Sequence, residues 1–275
     1  MNFKKTIGFN EDMSAKLAAL KGFCDKQDGI NHPFYACDEP DGGIDDMSYV
    51  FEDNDGRVLS ALTVYFIDSH DCEIYGLTVP EQRENLLFDQ LLNFFLADAA
   101  ALDLKQIFLP VASEYETAKN LLFNAPGADF KYTEYLLSYE GPKKKEAYGL
   151  LESGFEIVTS DDLTGILDDD RGQILSFICD GLQVGGCYVS CTPKAATIYN
   201  YKIFESFRGR GLGKKFLKIL INMLLEHSEK IILNVNGNNT NAYRMYTGCG
   251  FCVKSSIDYF SIDRRTASKK AAAHS

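Results

Sequence analysis

The sequence has no apolar run of the ~18–20 residues that a membrane-spanning helix requires. It also lacks the pattern of a secretory leader, because MNFKKTIGFNEDMSAK carries a Lys-Lys pair but no apolar segment ending in small residues. A cytoplasmic location with no membrane contact is the expectation. Positive charge is scarce: 28 Lys and Arg stand against 39 Asp and Glu, a net charge of -11. A chain so short of cations lacks the basic footprint that a phosphate backbone demands, so nucleic acid is not an expected partner. The same balance suits a cationic partner such as an amine. No histidine lies near the two closest cysteine pairs, Cys187 with Cys191 and Cys249 with Cys252. The eight scattered cysteines therefore read as free thiols, and no metal is expected.

What is present is globular. The hydrophobic fraction of 45% and charged fraction of 24% lie well away from the disordered regime. The length of 275 residues fits one large domain or two ordinary ones. The chain is written twice. YVFEDNDGRVLSALTVYF and ILSFICDGLQVGGCYVSC each read as strand, Asp-Gly turn, strand. Their turn glycines, Gly56 and Gly181, are 125 residues apart. A further strand follows each hairpin, EIYGLTV and TIYNYKIF. Then comes a turn with an arginine, Arg83 and Arg208, again 125 apart, and a long amphipathic helix. In the second helix Leu212, Phe216, Ile219, Leu220, Met223 and Leu224 fall at helical spacing and predict the buried face. Buried-type strands follow, QIFLPV and IILNV, with Leu109 and Leu233 separated by 124, which predicts a first helix segment about one residue longer. Each copy closes with a short helix, a glycine, a phenylalanine and a β-rich run. Gly141, Pro142 and three lysines mark the expected junction. The order of elements predicts an α+β (mixed α/β) fold, locally parallel around each long helix. The expected domains are 1–141 and 142–265, with a disordered tail over 266–275.

The second copy carries the chemistry. RGRGLGKK starts at Arg208, after a strand and before a helix. The first N–H groups of a helix lack internal partners and lie at the positive end of its dipole, so a glycine loop there is an anion site. Two common phosphate motifs fail. Arg208 stands where the Walker pattern needs its first glycine and Lys215 where it needs Ser or Thr, while Lys214 stands where the dinucleotide fingerprint needs its third glycine.

R-x-x-G-x-G does fit, as Arg208, Gly211 and Gly213, and NTNAYRMYTGCGF supplies Asn239, Ala242, Tyr246, Gly250 and Phe251 downstream. Together they resemble the acyl-CoA loop and the N-x-x-A-x-x-x-Y-x-x-x-G-F segment of the GNAT superfamily of N-acetyltransferases, over roughly residues 145–263. The resemblance implies two GNAT-like domains, each a mixed, mostly antiparallel sheet flanked by helices. It implies acetyl-CoA as cosubstrate, with Arg208, Gly209, Arg210, Gly211, Leu212, Gly213 and Lys214 around the pyrophosphate. Pantetheine is expected between the strands Tyr199–Phe204 and Ile231–Val235, near Ile203 and Phe204, with a backbone N–H around Phe204 polarising the thioester. Asn239 is expected on the pantetheine arm, and Tyr246 as the acid for the departing thiolate. The family's glutamate is missing from ATIYNYKIF. Glu205 just after it, Tyr201, Asn200 through a water, or an acid of the first domain remain candidate bases. The resemblance implies a small-molecule or peptide amine as acceptor. A homodimer is compatible with the sequence, though no patch legible in it argues for one.

In the first copy Arg83 survives, but the two glycines become Leu86 and Phe88, Glu84 adds the wrong charge and the tyrosine position falls on Leu122. That copy is expected to keep the fold without the chemistry. A non-catalytic CoA-binding or scaffold protein on the same duplicated fold is the alternative reading.

Overall fold

The computed structural model describes residues 1–8, 10–35, 46–123, 127–142, 154–159 and 172–262. The expected tail over 266–275 and most of the expected junction lie outside the described residues. The chain forms two compact units, residues 1–133 with 257–275, and residues 134–256.

The first unit opens with β1 (Asn2–Ile7) and α1 (Glu11–Asp28), then β2 (Met47–Glu52), β3 (Val58–Phe66) and β4 (Asp71–Thr78). A 3-10 turn, Pro80–Asn85, leads into α2 (Leu87–Ala99), β5 (Gln106–Ala112) and α3 (Glu116–Phe123). β1 to β4 pair antiparallel in sequence order, whereas β4 and β5 run parallel. One face is closed by α2 against Val64, Ile74, Ile107 and Leu109, and α1 packs on Val50, Ala61 and Leu77 of the other.

The same order recurs in the second unit. After β6 (Ala128–Tyr139) and β7 (Phe155–Thr159) come β8 (Gln173–Cys179), β9 (Leu182–Cys191) and β10 (Ala196–Ile203). A 3-10 turn at Glu205–Phe207 precedes α4 (Leu212–Leu224), β11 (Ile231–Asn236), α5 (Thr240–Thr247) and β12 (Phe251–Ile262). The Asp180-Gly181 turn has both residues at positive φ, 51° and 75°, the conformation a two-residue hairpin favours.

Three expectations are corrected. The helices α2 and α4 are each 13 residues long, and the extra residue of the first copy sits in β5, 7 residues against 6 in β11. On α4 the buried face is Leu212, Phe216, Leu217, Leu220, Ile221 and Leu224, with Met223 39% exposed and Ile219 only half-buried. Both long helices bury the same ridge, and α4 also buries Leu217 where α2 has the half-buried Leu92. The units also do not divide at Gly141: the boundaries fall inside β6 and β12. The second edge of β5 and of β11 is paired with an antiparallel strand, which satisfies its backbone groups. In the second unit β11 takes Glu134–Ser138 of β6, and in the first unit β5 takes Ile257–Ser261 of β12.

Candidate active site

In both units the parallel pair holds for three residues and then parts. The register is Asp71–Gln106, Cys72–Ile107 and Glu73–Phe108 in the first, and Ala196–Ile231, Thr197–Ile232 and Ile198–Leu233 in the second. In the second unit β10 also carries an irregularity against β9 between Tyr199 and Lys202, where Asn200 has φ 50°. Asparagine tolerates that left-handed geometry better than the β-branched and aromatic residues around it. The equivalent stretch of β4 pairs with β3 without a shift. Gly185 lets β9 close on β10 beyond the irregularity, since a Cβ there would lie 2.2 Å from the Lys202 carbonyl oxygen.

The end of β10 sets the orientation of the backbone donors. The Phe204 N–H donates to the Val184 carbonyl at 2.8 Å. The expectation that Phe204 supplies the polarising N–H is therefore corrected, because that donor is already satisfied by β9. Antiparallel ladders alternate, so the Ile203 amide, one residue earlier, faces the opposite edge, where β10 has left β11. The Ile203 carbonyl accepts from Arg208 Nε at 2.9 Å.

The loop then turns on glycines. Gly209 and Gly211 both have φ 76°, and a Cβ on either would meet nothing within 4 Å. The cradle is open at the positions where the sequence predicts a ligand. Gly211 is the N-cap of α4 and has no side chain to offer, so the N–H groups of Leu212, Gly213 and Lys214 have no side-chain cap among the described residues. A missing cap costs about 1 kcal/mol, whereas the six buried side chains of α4 contribute on the order of 10 kcal/mol. Packing therefore holds the helix in place with its positive end unblocked. Gly213 has a different role: an added Cβ would stand 3.1 Å from Met245 Sδ and 3.6 Å from Ile203 Cγ1, so this glycine admits α5 against α4.

Around the loop Arg210 Nη2 donates to the Ser206 carbonyl at 3.1 Å, and its guanidinium lies 5.6 Å from the Phe207 ring. Lys214 is exposed, while Lys215 sits 3.7 Å over the Phe155 ring. Asn239 caps α5, its Oδ1 accepting from the Ala242 N–H at 3.2 Å, which leaves the amide NH2 as the donor. Glu205 opens the 3-10 turn, exposed, with its carbonyl accepting from the Arg208 N–H at 3.1 Å. Tyr246 is 6% exposed, and its ring lies 6.2 Å from Tyr201 and 5.9 Å from Phe251. Its hydroxyl has no hydrogen-bond partner among the described residues. Burial, then the neighbouring Cys187, pushes this phenol up to about 12.

Tyr201 was open as a base, and the structure assigns it otherwise. Its hydroxyl donates to the Gly213 carbonyl at 2.6 Å, and burial drives its pKa far up. It braces the first turn of α4 against β10. Sequence reading missed this brace, and its signal lies in comparing the copies. Tyr201 and Gly213 correspond to Gly76 and Phe88, and a Cβ on Gly76 would lie 2.0 Å from the Phe88 ring. The bulky group has moved from strand to helix, and the glycine from helix to strand.

The other loop residues of the first unit follow the same logic. Leu86 caps α2 at φ 54°, keeping the left-handed backbone of Gly211. Arg83 Nε donates to the Thr78 carbonyl at 3.0 Å, as Arg208 does to Ile203, but its fork is taken by Asp28 at 2.8 and 2.7 Å. That guanidinium holds the Asp28 carboxyl below its usual range.

Splayed parallel strands, a glycine-initiated helix without a side-chain cap and a buried phenol thus lie together in the second unit. Residues 132–251, somewhat under half of the chain, match the Acetyltransferase (GNAT) family. Over 59 residues the chain is 41% identical to the spermine/spermidine N(1)-acetyltransferase of Bacillus subtilis (strain 168), covering 21% of this chain and 39% of that protein. The chain thus matches well under two thirds of that relative's length. Two solved structures share the fold. A GCN5-related N-acetyltransferase from Sphaerobacter thermophilus superposes with TM-score 0.70 at 17% identity, over 95% of this chain and 96% of that one. A tandem GNAT protein from the clavulanic acid biosynthesis pathway gives TM-score 0.69 at 13% identity, over 96% and 98%. No helix among the described residues is long and apolar enough to cross a membrane.

Proposed function

We propose that this protein is an acetyl-CoA-dependent N-acetyltransferase acting on a primary amine, with one active site in residues 134–256 and a degenerate first copy of the same fold. The observation that carries the reading is the open cradle at Gly209 and Gly211, before an uncapped helix and beside strands that part after Ile198. The N–H groups of Leu212, Gly213 and Lys214 would hold the diphosphate with the helix dipole, with Arg208 and Arg210 adding charge. Asn239 offers its amide NH2 to the pantetheine arm, which would pair with the exposed edges of β10 and β11. Acetyl-CoA supplies the activated acyl group.

In the reaction a C–N bond forms as the C–S bond breaks. The Ile203 N–H donates to the acyl oxygen as charge develops there. Tyr246, protonated at neutral pH, gives its proton to the departing sulfur. The attacking amine must shed its ammonium proton, and Glu205 is the carboxylate placed just past the strand to accept it. The first copy offers no such cradle, since Leu86 and Phe88 replace its glycines. The name of the Bacillus relative puts spermidine first in an amine panel. A non-catalytic CoA-binding protein is the second reading, favoured by the exposure of Glu205 and the engagement of Tyr201.

Release of free CoA thiol with acetyl-CoA and an amine panel separates the two. Catalysis requires time-dependent thiol that depends on amine. In Tyr246→Phe, which loses no hydrogen bond among the described residues, kcat should fall about a hundredfold or more with acetyl-CoA affinity little changed. Tight acetyl-CoA binding with no thiol release from any amine would leave the scaffold reading.

A further inference from the structure

The first unit holds a half-buried carboxylate, Glu73, that meets no cation among the described residues. Three acids more enclosed than Glu73 are paired: Glu52 with Lys4 at 2.5 Å and Lys16 at 3.3 Å, Asp28 with Arg83 at 2.7 Å, and Asp258 with Lys119 at 3.4 Å. Glu73, on β4 at the last rung before β4 and β5 part, has one polar side-chain partner among the described residues, the Tyr75 hydroxyl. Taking an ionised carboxylate out of water without a counter-charge is expensive.

The surroundings of Glu73 are aromatic. Tyr65 stands directly opposite it on β3, Phe108 beside it on β5, and Tyr75 two residues on, all on one face. This is the face away from α2, and α1 covers it only farther along, at Ala61 and Leu77. The Tyr35 ring packs 4.9 Å from Tyr65 and 6.2 Å from Tyr75. On the β5 side Phe108 lies 6.5 Å from Tyr259, which stacks on Tyr132 at 4.7 Å. Ring faces carry negative potential, so carboxylate and rings favour the same guest.

The geometry points to a binding site for an alkylammonium ion on the sheet face of the first unit, with Glu73 accepting its N–H and the rings of Tyr65, Tyr75 and Phe108 against its charge and stem. One carboxylate among rings is a poor metal site, and no group of three metal-ligating side chains occurs among the described residues. The chain's net charge of -11 draws such a cation toward it. This site is independent of acyl transfer and leaves the first copy a binding role after losing its acyl-CoA loop.

The test is a titration of the full chain, without acetyl-CoA, with n-butylammonium chloride against sodium chloride at matched ionic strength, read by backbone amide shifts. The expected result is saturable movement of the Tyr65, Glu73, Tyr75 and Phe108 amides with butylammonium alone, and affinity about tenfold or more weaker in Glu73→Gln, the size of a lost charge-assisted hydrogen bond. The glutamine keeps an acceptor for Tyr75, so the fold is retained, which a thermal melt checks. Tyr65→Leu, which removes a ring and leaves the acid, should also weaken binding. Movement confined to the second unit, equal response to sodium, or undiminished binding in Glu73→Gln would overturn the proposal and leave Glu73 a protonated structural acid bonded to Tyr75.

Discussion

Gly211→Leu gives the second copy the residue that the first already uses at that point. Gly211 has φ 76°, and its Cβ position is clear of all atoms within 4 Å. Leu86, at the equivalent N-cap, holds φ 54° with its side chain 63% exposed. The left-handed backbone costs a leucine about 1–2 kcal/mol, and no clash adds to it. In a chain of this size that is a drop in Tm of roughly 2–8 °C. The ligand is affected far more. A leucine beside the N–H groups of Leu212, Gly213 and Lys214 denies the diphosphate two or three charge-assisted hydrogen bonds. At about 1.5–3 kcal/mol each, losing two weakens acetyl-CoA binding at least about a hundredfold. Calorimetric titration with acetyl-CoA and a thermal melt on the same samples read both quantities. The reverse change, Leu86→Gly, should raise the Tm slightly and create no new acetyl-CoA site, because Phe88 still fills the space beside Gly76. Parent-like affinity in Gly211→Leu would refute the loop as the binding site. Loss of the folded state would refute the equivalence of the two backbones.

The Arg83 fork depresses the pKa of Asp28, so its contribution to stability is present above the unfolded value near ~4 and is lost as pH falls through the lower folded value. Asp28→Asn should cost about 1–3 kcal/mol at pH ~7, less than a fully buried pair because Arg83 is part-exposed, and the deficit in urea unfolding should shrink at pH ~3. A deficit independent of pH would contradict the ionic reading. Gly76→Tyr alone drives a side chain into Phe88 and should destabilise by about 3 kcal/mol or more. Gly76→Tyr with Phe88→Gly copies the Tyr201–Gly213 arrangement and should recover most of that loss in a thermal melt; no recovery would break the correspondence. A fragment of residues 1–141 lacks the strand over 257–262, and with it the Ser113 and Thr133 bonds to Asp258 at 2.8 and 2.7 Å and the buried Phe260. It should fail to melt cooperatively and should aggregate on gel filtration. A sharp melt near that of the full chain would show the first unit complete without its borrowed strand.

From the hairpin onward the order of elements in each unit was legible in the sequence, with the two hairpins, the loop glycines and the helix after them, whereas β1, α1 and β7 were not. Those are local matters: Asp-Gly turns, period-two and period-3.6 patterns and glycine at positive φ are each written in a few adjacent residues. Arg208, Asn239 and Tyr246 were singled out by their spacing along the chain. The tertiary structure decided what depends on neighbours far away in sequence. Whether the Phe204 N–H is free depends on Val184, twenty residues earlier. The role of Tyr201 depends on the Gly213 carbonyl, and that of Gly213 on Met245. Which half of a closing strand completes which unit is set by the free edges of β5 and β11, and a strand's own residues carry no mark of its partner. The surroundings of Glu73 are equally non-local, since Tyr65 and Phe108 reach it only through the pairing of β4 with β3 and β5.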